Sequence, residues 1–177
     1  DYKKIGLEDY GKPGNYVARQ VSRWSKQYRA SETDDIEAMN NLIEWLPKNI
    51  PDDDETSIVH GDYRLDNMIL KDNQVMGILD WELSTLGHPI ADFSYHCLSW
   101  RTQEAFWDQS KLKELGIPNE REYMDMYCEN TGKDLSKNWE FYMAFNMFKI
   151  AGILQGILGR VRDGTASSKH AEDRGMM

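Results

Sequence analysis

Cysteine is scarce in this chain: two thiols, Cys97 and Cys128, among 177 residues. Two well-separated cysteines make no disulfide framework of the kind that holds small secreted domains together. Both are expected as buried, inert side chains in a reducing, cytoplasmic setting. Basic residues are outnumbered, 21 Lys and Arg against 30 Asp and Glu, for a net charge of -9. That excludes a nucleic-acid partner, which would demand clustered cations. It leaves a nucleotide open, because a metal ion can meet a phosphate's charge. No apolar run approaches the roughly 20 residues that a bilayer span needs, so no membrane partner is expected. No signal peptide is expected behind the opening Asp1-Tyr2-Lys3-Lys4. Internal repeats are also absent.

What remains is ordinary globular material, 29% charged and 40% hydrophobic. A chain of this size suffices for one domain that buries about 70% of its unfolded surface. Residues 1–15, with Lys12-Pro13-Gly14, form a lead-in segment. Val17, Val21, Trp24 and Tyr28 recur at helical spacing over about 15–30, and Ile36, Met39, Ile43 and Leu46 over 34–46, where Pro47 ends the pattern. Pro51-Asp52-Asp53-Asp54-Glu55 is a solvated loop.

The periodicity then changes. Ser57-Ile58-Val59 predicts a short strand, and 68–70 and 75–79 predict two more, joined by a turn at Lys71-Asp72-Asn73-Gln74. Helical patterning resumes at Pro89, well suited to a first helical position, with Ile90, Phe93, Cys97 and Leu98 as its apolar stripe. Asn119 followed by Glu122 predicts a capping box for a helix that stops near Gly132. A last helix over 139–161 is apolar on several sides, with Phe141, Phe145, Phe148, Ile153, Leu154, Ile157 and Leu158, and is expected to be central. Ala144, Ala151, Gly152 and Gly156 would let neighbours approach it closely. The expected fold class is α+β, mainly helical, with a β insertion between 57 and 81. The domain runs over 16–162, its helical subdomain over 89–162, and a polar tail, expected to be mobile, over 163–177.

The densest set of chemically capable side chains lies in the insertion. His60 to Asn67 form a loop between two strands; Asp62 sits near its start and Asn67 closes it. A hairpin lays its strands side by side, so Asn67 and Asp80, at the end of the second hairpin strand, meet at one edge. Phosphoryl transfer needs such a set: a carboxylate near the attacking hydroxyl, and hard oxygen ligands holding Mg2+ against the phosphates. Asp62 suits the first role, and Asn67 and Asp80 the second. Glu82 could touch a second metal or its water. An unpaired Asp80 ending an apolar strand is costly, so a metal or a basic partner is expected there. Arg64 and Asp66 read as a local ion pair or as solvated loop residues. His60 reads as packing under the loop, and Trp81, Tyr95, Trp100 and Trp107 as core by default.

The pattern His60-Gly61-Asp62, four residues, then Asn67, with a hairpin ending Ile78-Leu79-Asp80-Trp81-Glu82, resembles the aminoglycoside phosphotransferase and choline kinase family. The stretch Leu83-Ser84-Thr85-Leu86-Gly87-His88-Pro89-Ile90-Ala91-Asp92 is similar to a branch sometimes fused to acyl-CoA dehydrogenase domains. The resemblance covers about Tyr16 to Val161. It implies the C-terminal lobe of a protein-kinase-like fold, with catalytic loop 60–67 and metal-binding hairpin end 80–82. It also implies ATP or GTP as phosphate donor, Mg2+, a small-molecule hydroxyl as acceptor and Asp92 as a brace for the loop. The family's N-terminal β lobe, with its phosphate-contacting Lys, has no counterpart here, so this segment by itself is expected to turn over poorly. The branch points to a hydroxy acid or hydroxyacyl thioester; the acidic surface would suit a cationic acceptor.

Two other classes stay open. His60 with Asp62, and His88, Asp92 and His96 four residues apart on one helix face, have the spacing of a metal-dependent hydrolase. A degenerate kinase-like fold kept as a non-catalytic binding module is the other. Neither the nucleotide, the acceptor nor the oligomeric state is legible.

Overall fold

The computed structural model describes residues 1–102 and 109–165. Trp107 and most of the expected tail lie outside them. The chain opens with turns and enters helix α1 (Tyr16–Ala30), which buries Val17, Val21, Trp24 and Tyr28, the predicted face. Helix α2 (Glu37–Trp45) is shorter than expected at its start. Ile36 stays extended ahead of it and is 41% exposed. Pro47 does not stop the chain from coiling: Leu46–Lys48 continue as a 3₁₀ turn, with Leu46 fully buried.

Four short strands follow: β1 (Ser57–Val59), β2 (Met68–Lys71), β3 (Gln74–Ile78) and β4 (Thr85–Gly87). They form two separate antiparallel pairs, β1 with β4 and β2 with β3. The β1–β4 pairing, Val59 opposite Thr85 and Ser57 opposite Gly87, corrects the expectation of an insertion that closes at residue 81. A three-residue strand carries too weak a period to be recognised alone, and β4 exists because β1 supplies its hydrogen bonds. The β2–β3 hairpin has the predicted turn. Asp72 and Asn73 both take positive φ, 50° and 59°, the backbone that a tight two-residue hairpin loop demands. The register slips by one residue between Ile69 and Leu70, a bulge of the kind that bends a ribbon.

Helix α3 (Pro89–His96) starts on Pro89 and buries Ile90, Ala91, Phe93 and Ser94; a 3₁₀ turn, Cys97–Trp100, continues it. After the short α4 (Gln109–Leu112), α5 (Glu120–Thr131) opens with the full capping box. The Glu122 N–H donates to the Asn119 side chain at 2.9 Å, and the Asn119 N–H to the Glu122 carboxylate at 2.9 Å. Gly132, in the left-handed region, ends it.

Helix α6 (Trp139–Arg162) is the core element. It is long and apolar enough, by length and composition, to cross a membrane, which corrects the expectation that no stretch approaches that size. Half of its most apolar window is buried inside the protein. Phe145 and Phe148 are 2% and 0% exposed, each contributing on the order of 2 kcal/mol by burial. Gly152 lies against Trp24 of α1, where an added Cβ would meet Trp24 Cε3 at 3.7 Å. Toward α3, Asn146 Nδ2 donates to Ala91 O at 2.9 Å and Ser94 Oγ at 2.8 Å, so the buried amide is paired as burial requires. Cys97 is buried and Cys128 partly so, and neither is bonded. Burial pushes the Cys97 thiol up.

Candidate active site

The 60–67 loop is held from three sides. From α3, the Asp92 carboxylate accepts the N–H groups of His60 at 2.7 Å and Gly61 at 2.8 Å. From the hairpin, the Leu79 carbonyl accepts from His60 Nε2 at 2.8 Å. The Asp62 N–H lies 3.3 Å from His60 Nδ1, which makes Nδ1 the acceptor and Nε2 the protonated nitrogen. His60 is thus a buried strut, also packed on Trp81 with ring centroids 4.8 Å apart. From α6, Lys149 Nζ donates to Gly61 O at 3.2 Å. Gly61 itself takes φ +87°, and a Cβ there would sit 2.7 Å from Leu83 O; the turn that presents Asp62 therefore requires glycine.

Asp62 and Asn67 are in direct contact. Asn67 Nδ2 donates to the Asp62 carbonyl at 2.9 Å and to Asp62 Oδ2 at 3.1 Å. That orientation turns the amide nitrogen toward Asp62 and leaves the carboxamide oxygen for another partner. Asn67 also joins the hairpin edge, its carbonyl accepting from Leu79 N at 2.8 Å. Asp80 follows directly, with φ 64° and ψ 55°. A non-glycine residue in that region costs about 1–2 kcal/mol and marks a functional candidate. Here the geometry departs from expectation. β3 ends at Ile78, and Leu79 and Asp80 are both exposed, so the Asp80 charge is solvated and not buried at a strand end. No ion pair involves Asp80 among the described residues. Glu82 is exposed in the 3₁₀ turn Trp81–Leu83.

Two contacts on Asp62, and a third on the tyrosine that makes one of them, were not foreseen. Tyr95 OH donates to Asp62 Oδ1 at 2.9 Å. Arg64 Nε lies 3.4 Å from Asp62 Oδ2, besides the expected pair with Asp66 at 3.7 Å. Lys149 Nζ stands 4.4 Å from the centre of the Tyr95 ring. Burial, and then the charge of Asp62, push the Tyr95 phenol well up, so it remains a donor. Burial pulls Lys149 down, against the attraction of Asp92 and Asp62. Nothing in the local pattern singles out Tyr95 or Lys149; they reach Asp62 across 33 residues and Gly61 across 88.

The hydrolase grouping is not assembled. His88 precedes α3 in extended backbone and is buried, its Nε2 3.1 Å from Tyr142 OH and 3.4 Å from Asp53 Oδ1. His96 Nε2 pairs instead with Tyr123 OH at 3.1 Å, and both Asp92 oxygens are taken by the loop. Among the described residues no three His, Cys, Asp or Glu side chains converge as a metal site. Sequence spacing placed these groups on one helix face, but each is drawn to a different neighbour.

A loop braced by an aspartate from the following helix, with a hairpin returning a second aspartate to the loop's end, defines a kinase-like C-terminal lobe. The profile of the phosphotransferase enzyme family (APH) matches residues 1–127, and the chain belongs to that family. A crystal structure from Ralstonia eutropha, classed with the aminoglycoside phosphotransferases, superposes with a TM-score of 0.93 at 54% identity; the match covers 99% of this chain and 56% of that one. Mouse acyl-CoA dehydrogenase family member 10 is 46% identical over the whole chain, and human family member 11 is 42% identical over 94% of it. The chain spans only 17% and 22% of those two relatives.

Proposed function

We propose that this lobe belongs to a small-molecule kinase that moves the terminal phosphate of ATP or GTP onto a hydroxyl. The contact between Asp62 and Asn67 carries the reading, supported by the hydrogen bond from Leu79, the residue before Asp80, to the Asn67 carbonyl. Asp62 is the base. Its side chain is 19% exposed, reachable by an acceptor yet fixed by hydrogen bonds, as orientation of a nucleophile requires. Lys149 and Arg64 bring positive charge to the same carboxylate and its loop.

Mg2+ fits the donor set. The carboxamide oxygen of Asn67 is free of Asp62, and Asp80 supplies a carboxylate with no cationic partner among the described residues, the hard-oxygen chemistry that this ion favours. Asn67 and Asp80 would hold it, and Glu82 is near enough in sequence to reach a second ion or its water. When bound, the ion neutralises charge on the transferring phosphate. The chain's own part is to hold the acceptor hydroxyl against Asp62 and take up its proton there.

For the acceptor the reading is a hydroxy acid or a hydroxyacyl thioester, supported by two relatives, matched along most of this chain, that carry acyl-CoA dehydrogenase names. A cytoplasmic setting fits a nucleotide-dependent reaction. Asp62→Asn in the full-length protein tests the assignment. With ATP and Mg2+, transfer to a panel of hydroxyacyl thioesters, amino sugars and choline-like alcohols should fall about 100-fold or more, with melting temperature unchanged. An undiminished rate would sink it.

A further inference from the structure

We propose that Tyr95, braced by Lys149, is the positioning residue that holds the Asp62 carboxylate in its working orientation. The inference rests on the reading of Asp62 as the base. The two oxygens of that carboxylate are held from opposite sources. Oδ2 takes Asn67 Nδ2 at 3.1 Å, with Arg64 Nε at 3.4 Å. Oδ1 takes only the Tyr95 hydroxyl, at 2.9 Å, among the described residues. A carboxylate gripped at one oxygen still turns about its Cβ–Cγ bond, whereas one gripped at both does not. Arg64 cannot substitute, because its side chain is 53% exposed and shared with Asp66. Asn67 cannot do so alone, because it comes from the same loop and moves with it.

Tyr95 comes from α3, one turn beyond Asp92. Residues three apart share a helix face. A single turn of α3 therefore holds the loop backbone through Asp92 and the reactive carboxylate through Tyr95. Lys149 closes the arrangement from α6. Its ammonium faces the Tyr95 ring at 4.4 Å and donates to Gly61 O at 3.2 Å, the carbonyl immediately before Asp62. It forms no ion pair with a carboxylate among the described residues, so its charge serves the ring and the loop. Its position on α6 is fixed one turn away by Asn146, which is bonded to Ala91 and Ser94 of α3. Contacts thus tie the tyrosine, the lysine and the loop to one another and to α3 and α6.

The test is Tyr95→Phe in the full-length protein, which keeps the ring over Lys149 and removes only the donor. Crystals of the variant should show the Asp62 carboxylate rotated off its wild-type orientation. Turnover, followed as transfer to the best acceptor of the panel or as ATP hydrolysis, should fall about 10- to 100-fold in kcat, with KM for nucleotide and acceptor and the melting temperature held. Lys149→Met should give a smaller loss of the same kind. A carboxylate that stays in place, a wild-type kcat, or a loss shared by KM and melting temperature would overturn the proposal, the last marking the tyrosine as scaffold. Asp62→Asn assayed beside it separates the two readings. If Asp62→Asn is inactive and Tyr95→Phe is wild-type, only the positioning role fails; if Asp62→Asn is active, the base assignment fails first.

Discussion

Asp92 accepts two consecutive backbone N–H groups, His60 at 2.7 Å and Gly61 at 2.8 Å, across more than thirty residues of chain. The helix that buries the core through Ile90, Ala91 and Phe93 is therefore also the element that sets the height of the 60–67 loop. Order in the core is passed to the site through one carboxylate.

Asp92→Asn should unfold at lower denaturant. The amide keeps one acceptor and turns an NH2 toward an N–H, leaving a partly buried backbone donor unpaired. Hydrogen bonds to a charged group contribute about 1.5–3 kcal/mol, and a loss of about 2 kcal/mol is expected. Urea titration measures it, and an unchanged midpoint would deny Asp92 the role of a brace.

Gly61→Ala should destabilise more than Gly132→Ala. Both glycines take positive φ, +87° and +71°, but a Cβ at Gly61 meets Leu83 O at 2.7 Å and one at Gly132 meets nothing within 4 Å. Backbone strain alone costs about 1–2 kcal/mol, so the Gly132 variant reports that part and the excess at Gly61 reports the contact with Leu83. Transfer activity should drop only in the Gly61 variant. Equal midpoints for the two would mean that the loop absorbs the added methyl.

Stability should fall on acidification through the range where free histidine titrates. Burial holds both His88 and His96 below the usual value of 6.5, the attraction of Asp53 on one and Asp92 on the other notwithstanding. With the folded pKa depressed, the unfolded chain binds more protons below about 6.5, and stability present above that pH is lost as the pH drops toward the folded values. The melting temperature should decline between pH 7 and 5, and His96→Gln should flatten the decline. An identical slope in wild type and variant would rule His96 out as a contributor.

Some of this was legible residue by residue. Asn119 and Glu122 announce α5, Asp72-Asn73 announce the hairpin turn, and Val17, Val21, Trp24 and Tyr28 announce the buried face of α1. Each signal lies within a few residues, where capping, turn conformation and helical period act. That Asp62 and Asn67 share one short loop was legible for the same reason; the hydrogen bonds between them are the structure's finding. β4 was not, since three residues gain strand geometry only from β1. The apparent histidine cluster failed because periodicity predicts a shared face but not the partner that each side chain finds.

The linear chain by itself determined α1, α3, α5 and α6, the capping box of α5, the hairpin, and the oxygen-bearing side chains at 62, 67 and 80, because those depend on neighbours close along the backbone. The resemblance pointed to Asp92 as the brace of the loop, and the structure supplies its two hydrogen bonds. Tertiary structure alone decided that Asp80 stands in solvent, that Tyr95 reaches Asp62 and that Lys149 reaches Gly61, because contacts across 33 and 88 residues leave no local mark in sequence.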